Sequence, residues 1–417
     1  MKKTAALICL LCICLLSFLG CSSKEGSPAV SHSAENQFME IFERHAVRCG
    51  DRVYFLDYIA KDVTGVFVYE LGSDSAIPLC SKPECEHNDK SCGAHLTTGN
   101  YYPELTVYDD TLYIYDREGV KPYLYSFNPD GTGFTRVMAL DREYEKYYRE
   151  MDLLAVYNDT VYRCGYGEKV GDAETKRTMT LYSMPLGGDE STEILTIENM
   201  TQAIERVCED KLYCAVFTLI GKNEQEDNLF NLEIYCYDMS EGELEKLYSG
   251  EVPFMASVLS VVDDKLMFSF GDIWSYSLTT GELEMVMQAD EHIMYLSENR
   301  IMETISKTEC RIYDLEGNEL ATFPRKPEEF MDMPCGYYFV GASDDVFYYI
   351  VLGEPDDPME QYNLILAIDA RKYETKLLSA VFMGGRVVYT EDGMMTIDEG
   401  NDVEITQVKT THYQGQP

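Results

Sequence analysis

A short phrase returns along almost the whole of this 417-residue chain and limits what it can fold into: an acidic or small residue, a polar residue, then two apolar residues rich in aromatics. It stands as Asp51-Arg52-Val53-Tyr54, Asp110-Thr111-Leu112-Tyr113, Asp159-Thr160-Val161-Tyr162, Asp210-Lys211-Leu212-Tyr213 and Asp264-Lys265-Leu266-Met267. Looser copies follow at Asn299-Arg300-Ile301-Met302, Asp344-Asp345-Val346-Phe347 and Gly385-Arg386-Val387-Val388. Successive copies begin 59, 49, 51, 54, 35, 45 and 41 residues apart, the length of a four-stranded unit. Each unit has a second half, an aromatic strand running into a turn, as in Tyr123-Leu124-Tyr125-Ser126-Phe127 before Asn128-Pro129-Asp130-Gly131. Related stretches stand at 180–189, 233–242, 272–281, 310–317 and 394–400, and their Asp-Gly, Glu-Gly and Thr-Gly pairs tolerate the positive φ that hairpins require.

Several of these strands are apolar on both faces, as Leu112, Tyr113, Ile114 and Tyr115 show, so each small sheet must be covered on both sides. Sheets repeated around an axis meet that need and leave only short edges. The expected fold class is therefore all-β, a β-propeller of seven or eight four-stranded blades over residues 45–417. Eight copies of the phrase are visible, but the last has little room for a first strand between Leu378 and Arg386. Two β-sandwiches are the competing arrangement, and a steady repeat without a break in composition argues against them. With 45% hydrophobic residues, 32 Tyr and 17 Phe, the chain has ample material for such a core. Its formal charge of −39 repels nucleic acid and bare anionic membrane surfaces alike.

The N-terminus reads as an address. Lys2 and Lys3 precede an apolar run over residues 5–20, too short for an ordinary membrane-spanning helix. The run ends in Phe18-Leu19-Gly20-Cys21, which resembles the lipobox of bacterial lipoproteins, although Phe18 stands where Leu is usual. That resemblance implies a signal peptide over residues 1–20, a lipid on Cys21, and a flexible tether over 21–44. The expected location is the outer side of a bacterial cell membrane, held there by acyl chains without a transmembrane helix. A plain signal peptide with a chance cysteine is the alternative.

The phrase Leu124-Tyr125-Ser126-Phe127-Asn128-Pro129-Asp130-Gly131, with Arg136 after it, resembles the repeats of TolB-type propellers. With its lipobox and acidic bias, the whole chain is similar to propeller lipoproteins of Gram-positive bacteria. Over roughly residues 45–410 the resemblance implies architecture, and by analogy alone a binding or scaffolding role.

One segment interrupts the repeat between the first two units. Cys80, Cys85 and Cys92, with His87 among them and His95 three residues further on, form a Cys/His insertion over residues 80–95. Cys80, Cys85, His87 and Cys92 supply four donors of the kind that close a tetrahedral structural zinc site. Their gaps of four, one and four match neither a zinc knuckle nor a ribbon. A disulfide between two of the cysteines is the competing reading for an extracytoplasmic protein, and a redox role is a third. The lipoproteins this chain resembles carry similar cysteine-histidine segments, which implies a structural purpose. The remaining cysteines, Cys49, Cys164, Cys208, Cys214, Cys236, Cys310 and Cys335, are scattered singly through strand-like sequence and read as small core residues.

No Gly-x-Ser-x-Gly elbow, His-Glu-x-x-His helix or glycine-rich phosphate loop is present. The expected function is therefore non-catalytic binding of a protein or glycan, with no nucleic acid. A glycan hydrolase or lyase using paired carboxylates on the same face is the alternative, because 73 Asp and Glu residues make such pairs readily available. If strands alternate in direction, the second-to-third loops and the links between blades share one end of the ring. The insertions at 79–100, 165–178, 218–228 and 352–362 all fall in those places, and loops on a rigid scaffold are where recognition concentrates. On the last of them Glu354, Asp356, Asp357 and Glu360 are the binding-face candidates, with calcium binding set against a simple solvated loop because the spacing is not that of an EF-hand.

Overall fold

The computed structural model describes residues 46–414 apart from several stretches, chiefly 97–103, 140–153, 327–334, 354–361 and 399–407. Every regular element among the described residues is a β-strand, as the repeat predicts. The first blade consists of Ala46–Cys49, Arg52–Ala60, Val63–Glu70 and Ser75–Pro78, paired antiparallel in that order. The second is Glu104–Tyr108, Thr111–Glu118, Lys121–Phe127 and Thr135–Ala139. Five more four-stranded sheets follow at 154–200, 202–252, 258–287, 293–324 and 335–382.

The count of blades corrects the larger of the two sequence expectations. Arg386–Thr390, Gly393–Asp398 and Val408–Gln414 form no separate eighth sheet. Val408–Gln414 instead pairs antiparallel with the outermost strand of the first blade, Val408 opposite Ala76 and Lys409 opposite Ser75. The described residues thus make seven blades, the first extended by a three-stranded closing segment. The reason lies in chain length: blade seven ends at Phe382, and the next strand begins at Arg386. Too little chain intervenes for the missing strand.

The repeated acidic phrase is a hairpin turn. Tyr108 pairs with Thr111 and Tyr157 with Thr160, so two residues make each connection. Asp109, Asp110, Asn158 and Asp159 have φ of 47, 55, 45 and 56°, the left-handed pair of a type I′ turn, which Asp and Asn tolerate better than bulkier residues. The turn's carbonyl has a second use. The amides of Leu186, Met239, Leu278 and Ala370, each just past a third strand, donate to the carbonyls of Asp159, Asp210, Asp264 and Asp345 at 2.7 to 2.8 Å. At the third-to-fourth turns another set of acids folds back on its own backbone. Asp238 Oδ1 accepts from the amides of Ser240 and Glu241, and Asp314 Oδ1 from those of Glu316 and Asn318. These bonds satisfy groups that a bare turn would leave open.

Alternation along the strands decides the packing between blades. Leu112 and Ile114 join Tyr54, Leu56 and Val66 of blade one, while Tyr113 and Tyr115 join Val156, Val161 and Tyr182 of blade three. The second strand of blade four divides likewise. Leu212, Cys214 and Val216 pack with Cys164, Met179 and Leu181 of blade three, and Tyr213, Ala215 and Phe217 with Leu259, Leu266 and Phe268 of blade five. Period-two geometry sends neighbours to opposite faces, so a continuous apolar run fills two interfaces at once.

Phe268 is fully buried at the interface of blades four and five. Phe268→Ala is expected to cost about 3–5 kcal/mol in a denaturant unfolding experiment. Asp238 tests the turns. The Lys211 ammonium at 2.7 Å, with the Ser240 hydroxyl and the Glu241 amide, holds its carboxyl well below the ordinary range. A depressed folded pKa stabilises above the ordinary carboxylate pKa and loses that effect as pH falls through the folded value. Asp238→Asn should therefore lower the unfolding midpoint at neutral pH, and its deficit against the parent should shrink on acidification.

Candidate metal centre at the first blade

The outermost strand of the first blade is in two pieces, and the Cys/His insertion lies between them. Ser75–Pro78 pairs with the third strand through Phe67 opposite Pro78 and Val68 opposite Ile77. The Leu79 amide then donates to the Val66 carbonyl at 2.7 Å, and the chain leaves the sheet at Cys80. It returns past Cys92. The Val66 amide donates to the Ala94 carbonyl at 3.0 Å, the Leu96 amide to the Thr64 carbonyl at 2.9 Å, and Gly65 bridges His95. Residues 94–96 thus continue along the same edge in the same direction. Leu79 and Leu96, 4% and 2% exposed, anchor the two pieces in the core between blades one and two.

This course brings the four expected donors together. The ligating atoms of Cys80, Cys85, His87 and Cys92 all lie within 4.8 Å of one another, and His87 Nδ1 is 3.2 Å from Cys92 Sγ. His95 does not join the group. A tetrahedral zinc ion with Zn–S bonds near 2.3 Å sets sulfur atoms roughly 3.8 Å apart, so a modest contraction would complete such a sphere. The one-residue step from Cys85 to His87 is made with His87 at φ 55°, a left-handed turn that a continuing strand would forbid. Cys92 is buried and the other three are half-buried. None of the three cysteines is in a disulfide.

The cluster is electrostatically uneven. Burial works against the Cys80 thiolate, but backbone amides of Lys82 and Gly93 and the thiols of Cys92 and Cys85 outweigh it, and its pKa falls below that of an ordinary thiol. Burial, together with the neighbouring thiols, pushes Cys92 up to about 12. Three adjacent sulfurs cannot all carry charge without a cation among them. Burial also lowers the His87 pKa, which favours the neutral ring that a metal requires. The cluster can hold a metal ion, and four protein donors would leave no position open for a substrate.

The insertion also meets the second blade, a contact that no spacing rule foretells. A Cβ on Gly131 would stand 3.0 Å from the Leu79 carbonyl oxygen, and one on Gly93 would stand 3.1 Å from the Gly131 carbonyl oxygen. Gly131 also has φ of 79°. The Tyr54 hydroxyl of blade one donates to the Pro129 carbonyl in the same turn at 3.0 Å. The Asn-Pro-Asp-Gly turn was visible in the sequence as a turn, but its partner was not.

Elsewhere the structure refines the expected sites. Cys164, Cys214 and Cys310 are buried among apolar side chains, as expected, whereas Cys49, Cys208 and Cys236 are half-buried. Cys335 begins a strand. Much of the insertions at 165–178 and 218–228 is hairpin: Thr160–Val170 pairs with Thr175–Pro185, and Lys211–Lys222 with Asn228–Asp238. Antiparallel alternation places these hairpins and the Cys/His insertion at one end of the ring. A cleft of about 650 Å³, lined by Lys211, Tyr213, Asp238, Glu241, Glu243 and Glu245 among others, stands at the first-to-second and third-to-fourth turns, hence at the opposite end. Cys21, Glu354, Asp356, Asp357 and Glu360 lie outside the described residues.

No family model matches the chain, and no curated protein matches it. Among solved structures it is similar to a prolyl endopeptidase at 10% identity, covering 84% of this chain and 53% of that one, with a TM-score of 0.49. It is similar to Porphyromonas gingivalis dipeptidyl peptidase 4 at 9% identity, covering 88% and 56%, with a TM-score of 0.48. The β-propeller domain of the Trilobed protease from Pyrococcus furiosus gives 11% identity, coverage of 80% and 96%, and a TM-score of 0.43. The chain spans about half the length of the first two. The assignment as a propeller rests on the sheet order and interblade packing described above.

The thiol environments separate by reactivity. In metal-free, reduced protein, Cys80 is expected to alkylate first and at a pH below that of an ordinary thiol, because its thiolate is favoured. Cys310, fully buried and pushed up to about 12 by that burial, should remain unmodified until the protein unfolds. Peptide mapping after a timed alkylation series measures the order directly.

Proposed function

We propose that this chain is a lipid-anchored propeller on the outer side of a bacterial cell membrane, and that it binds a protein or glycan without catalysing a reaction. In this reading Cys21 carries the lipid, residues 21–44 are the tether, and the Cys/His cluster is a structural zinc site that stiffens the working end. The TolB-like character and the lipoprotein type belong to the same proposal.

The observation that carries the binding role is that two hairpins outrun the first strands of their blades at the end that also bears the Cys/His insertion. In blade four the first strand pairs with the second only through Phe217, yet the hairpin continues through Lys222 and Asn228. In blade three the first strand stops opposite Arg163, while the hairpin continues to Val170 and Thr175. Each extension outruns the first strand of its blade, while the fourth strand accompanies it as far as Phe230 in blade four and Arg177 in blade three. Leu219 and Ile220, 49% and 47% exposed, are consecutive residues on the blade-four extension just before Gly221. Neighbouring exposed apolar residues on a rigid hairpin suit a recognition surface. The cleft with its row of acids lies at the other end, and its Asp238 is held by Lys211 and the turn amides.

Two measurements test the reading. Cys21→Ala should release the protein from the membrane fraction and abolish incorporation of labelled fatty acid. For a ligand recovered from arrays of surface glycans and cell-surface proteins, Leu219→Ser with Ile220→Ser should weaken binding by about tenfold or more with the unfolding midpoint unchanged. Turnover of any glycan in that panel would overturn the non-catalytic assignment.

A further inference from the structure

We infer that one thiophilic cation of the Zn2+ type, held by Sγ of Cys80, Cys85 and Cys92 and by Nδ1 of His87, joins the two halves of the first blade's outermost strand and fastens that strand to the second blade. The inference rests on the structural-metal reading above and adds what the metal does for the ring.

The donor set selects the ion. Three sulfurs and one imidazole nitrogen are soft to borderline ligands, suited to Zn2+ and unsuited to Ca2+ or Mg2+, which take oxygen. Nδ1 is the ring atom that faces the sulfurs, 3.2 Å from Cys92 Sγ. A disulfide would use two of the three thiols and leave the third sulfur and the imidazole without a purpose. Backbone amides of Lys82 and Gly93 point to the Cys80 sulfur, and that of Ala94 to the Cys92 sulfur. Such N–H···S contacts spread the excess negative charge that three thiolates and one divalent ion would leave.

The position of the cluster gives the metal its mechanical role. Cys80 is the second residue after Ser75–Pro78, and Cys92 is the second before Ala94, so the first and last ligands stand where the outer strand breaks and where it resumes. Ser75–Pro78 is also the edge to which Val408–Gln414 pairs, and that pairing is only two residues long in register. On the other side, Leu79 and Gly93 touch the backbone of Gly131 in the blade-two turn. One ion at this point therefore adds a single shared restraint to three things that the strand hydrogen bonds and the Tyr54 contact hold separately: the exit of the outer strand, its return, and the blade-two turn. Through Ser75–Pro78 it also supports the closing strand.

The test is amide hydrogen exchange on the full chain, purified reduced, stripped with a chelator, and then given Zn2+. One equivalent should bind, and cobalt in its place should show the absorption of a tetrahedral thiolate-rich site. Zinc should slow exchange by about tenfold or more in residues 75–79, 94–96, 129–131 and 408–414, and leave 202–252 unchanged. His87→Cys should retain one equivalent, and Cys92→Ser should lose tight binding; Cys208→Ser, away from the cluster, should behave as the parent. If no zinc binds, or mass analysis of the native protein finds a disulfide among Cys80, Cys85 and Cys92, the metal reading itself falls. If zinc binds stoichiometrically but those amides exchange as before, the metal reading stands and the fastening role is overturned.

Discussion

The fold depends on neighbouring sheets burying opposite faces of the same strands. In Thr111–Glu118, Leu112 and Ile114 pack against blade one and Tyr113 and Tyr115 against blade three, so this strand is stable only when both neighbours are present. The same holds where Tyr213, Ala215 and Phe217 face one way and Leu212, Cys214 and Val216 the other. A sheet that is apolar on two sides has no exposed face to leave in water, and a ring is the arrangement that gives each sheet two partners. In blades three, four, five and seven the polar turn binds the end of the third strand through a short backbone hydrogen bond, which satisfies an amide at the edge of the dry interfaces.

A ring made by repetition has one weak point, where the last strand meets the first blade. Here that point is a short antiparallel pairing of Val408–Gln414 with Ser75–Pro78. The strand that receives it is itself interrupted two residues later by the excursion that carries Cys80, Cys85, His87 and Cys92. Leu79 and Leu96 hold the ends of the excursion in the core, and the glycines at 93 and 131 allow its backbone to lie against the next blade. The cluster thus sits beside the closing strand, at the same end as the extended hairpins of blades three and four.

Much of this could be read along the chain. The acidic phrase marks the two-residue turns because Asp and Asn accept a left-handed backbone, and its spacing marks the units because each blade needs four strands and three turns. The phrase alone did not separate a full blade from a closing segment. A turn followed by an apolar strand looks the same whether or not a first strand precedes it, and the short chain between Phe382 and Arg386 decided the matter. Insertions at 165–178 and 218–228 read as loops because Gly, Lys and Glu interrupt their apolar pattern, yet both are largely continued hairpins. Where a hairpin runs past the first strand of its blade it covers less of the core, and its sequence need not alternate. The donors Cys80, Cys85, His87 and Cys92 were legible as a set, since close spacing confines them to one small volume.

The amino-acid order by itself determined the class of structure, the turns, the two-sided strands and the identity of the soft donors, because each follows from local geometry or from the period of a strand. It could not decide which surfaces meet. That the excursion returns to the edge it left, that Gly131 lies against Leu79, and that the last strand joins Ser75–Pro78 are contacts between residues far apart along the chain. The first forms within one blade and the second between neighbours, while the third requires the whole ring to close.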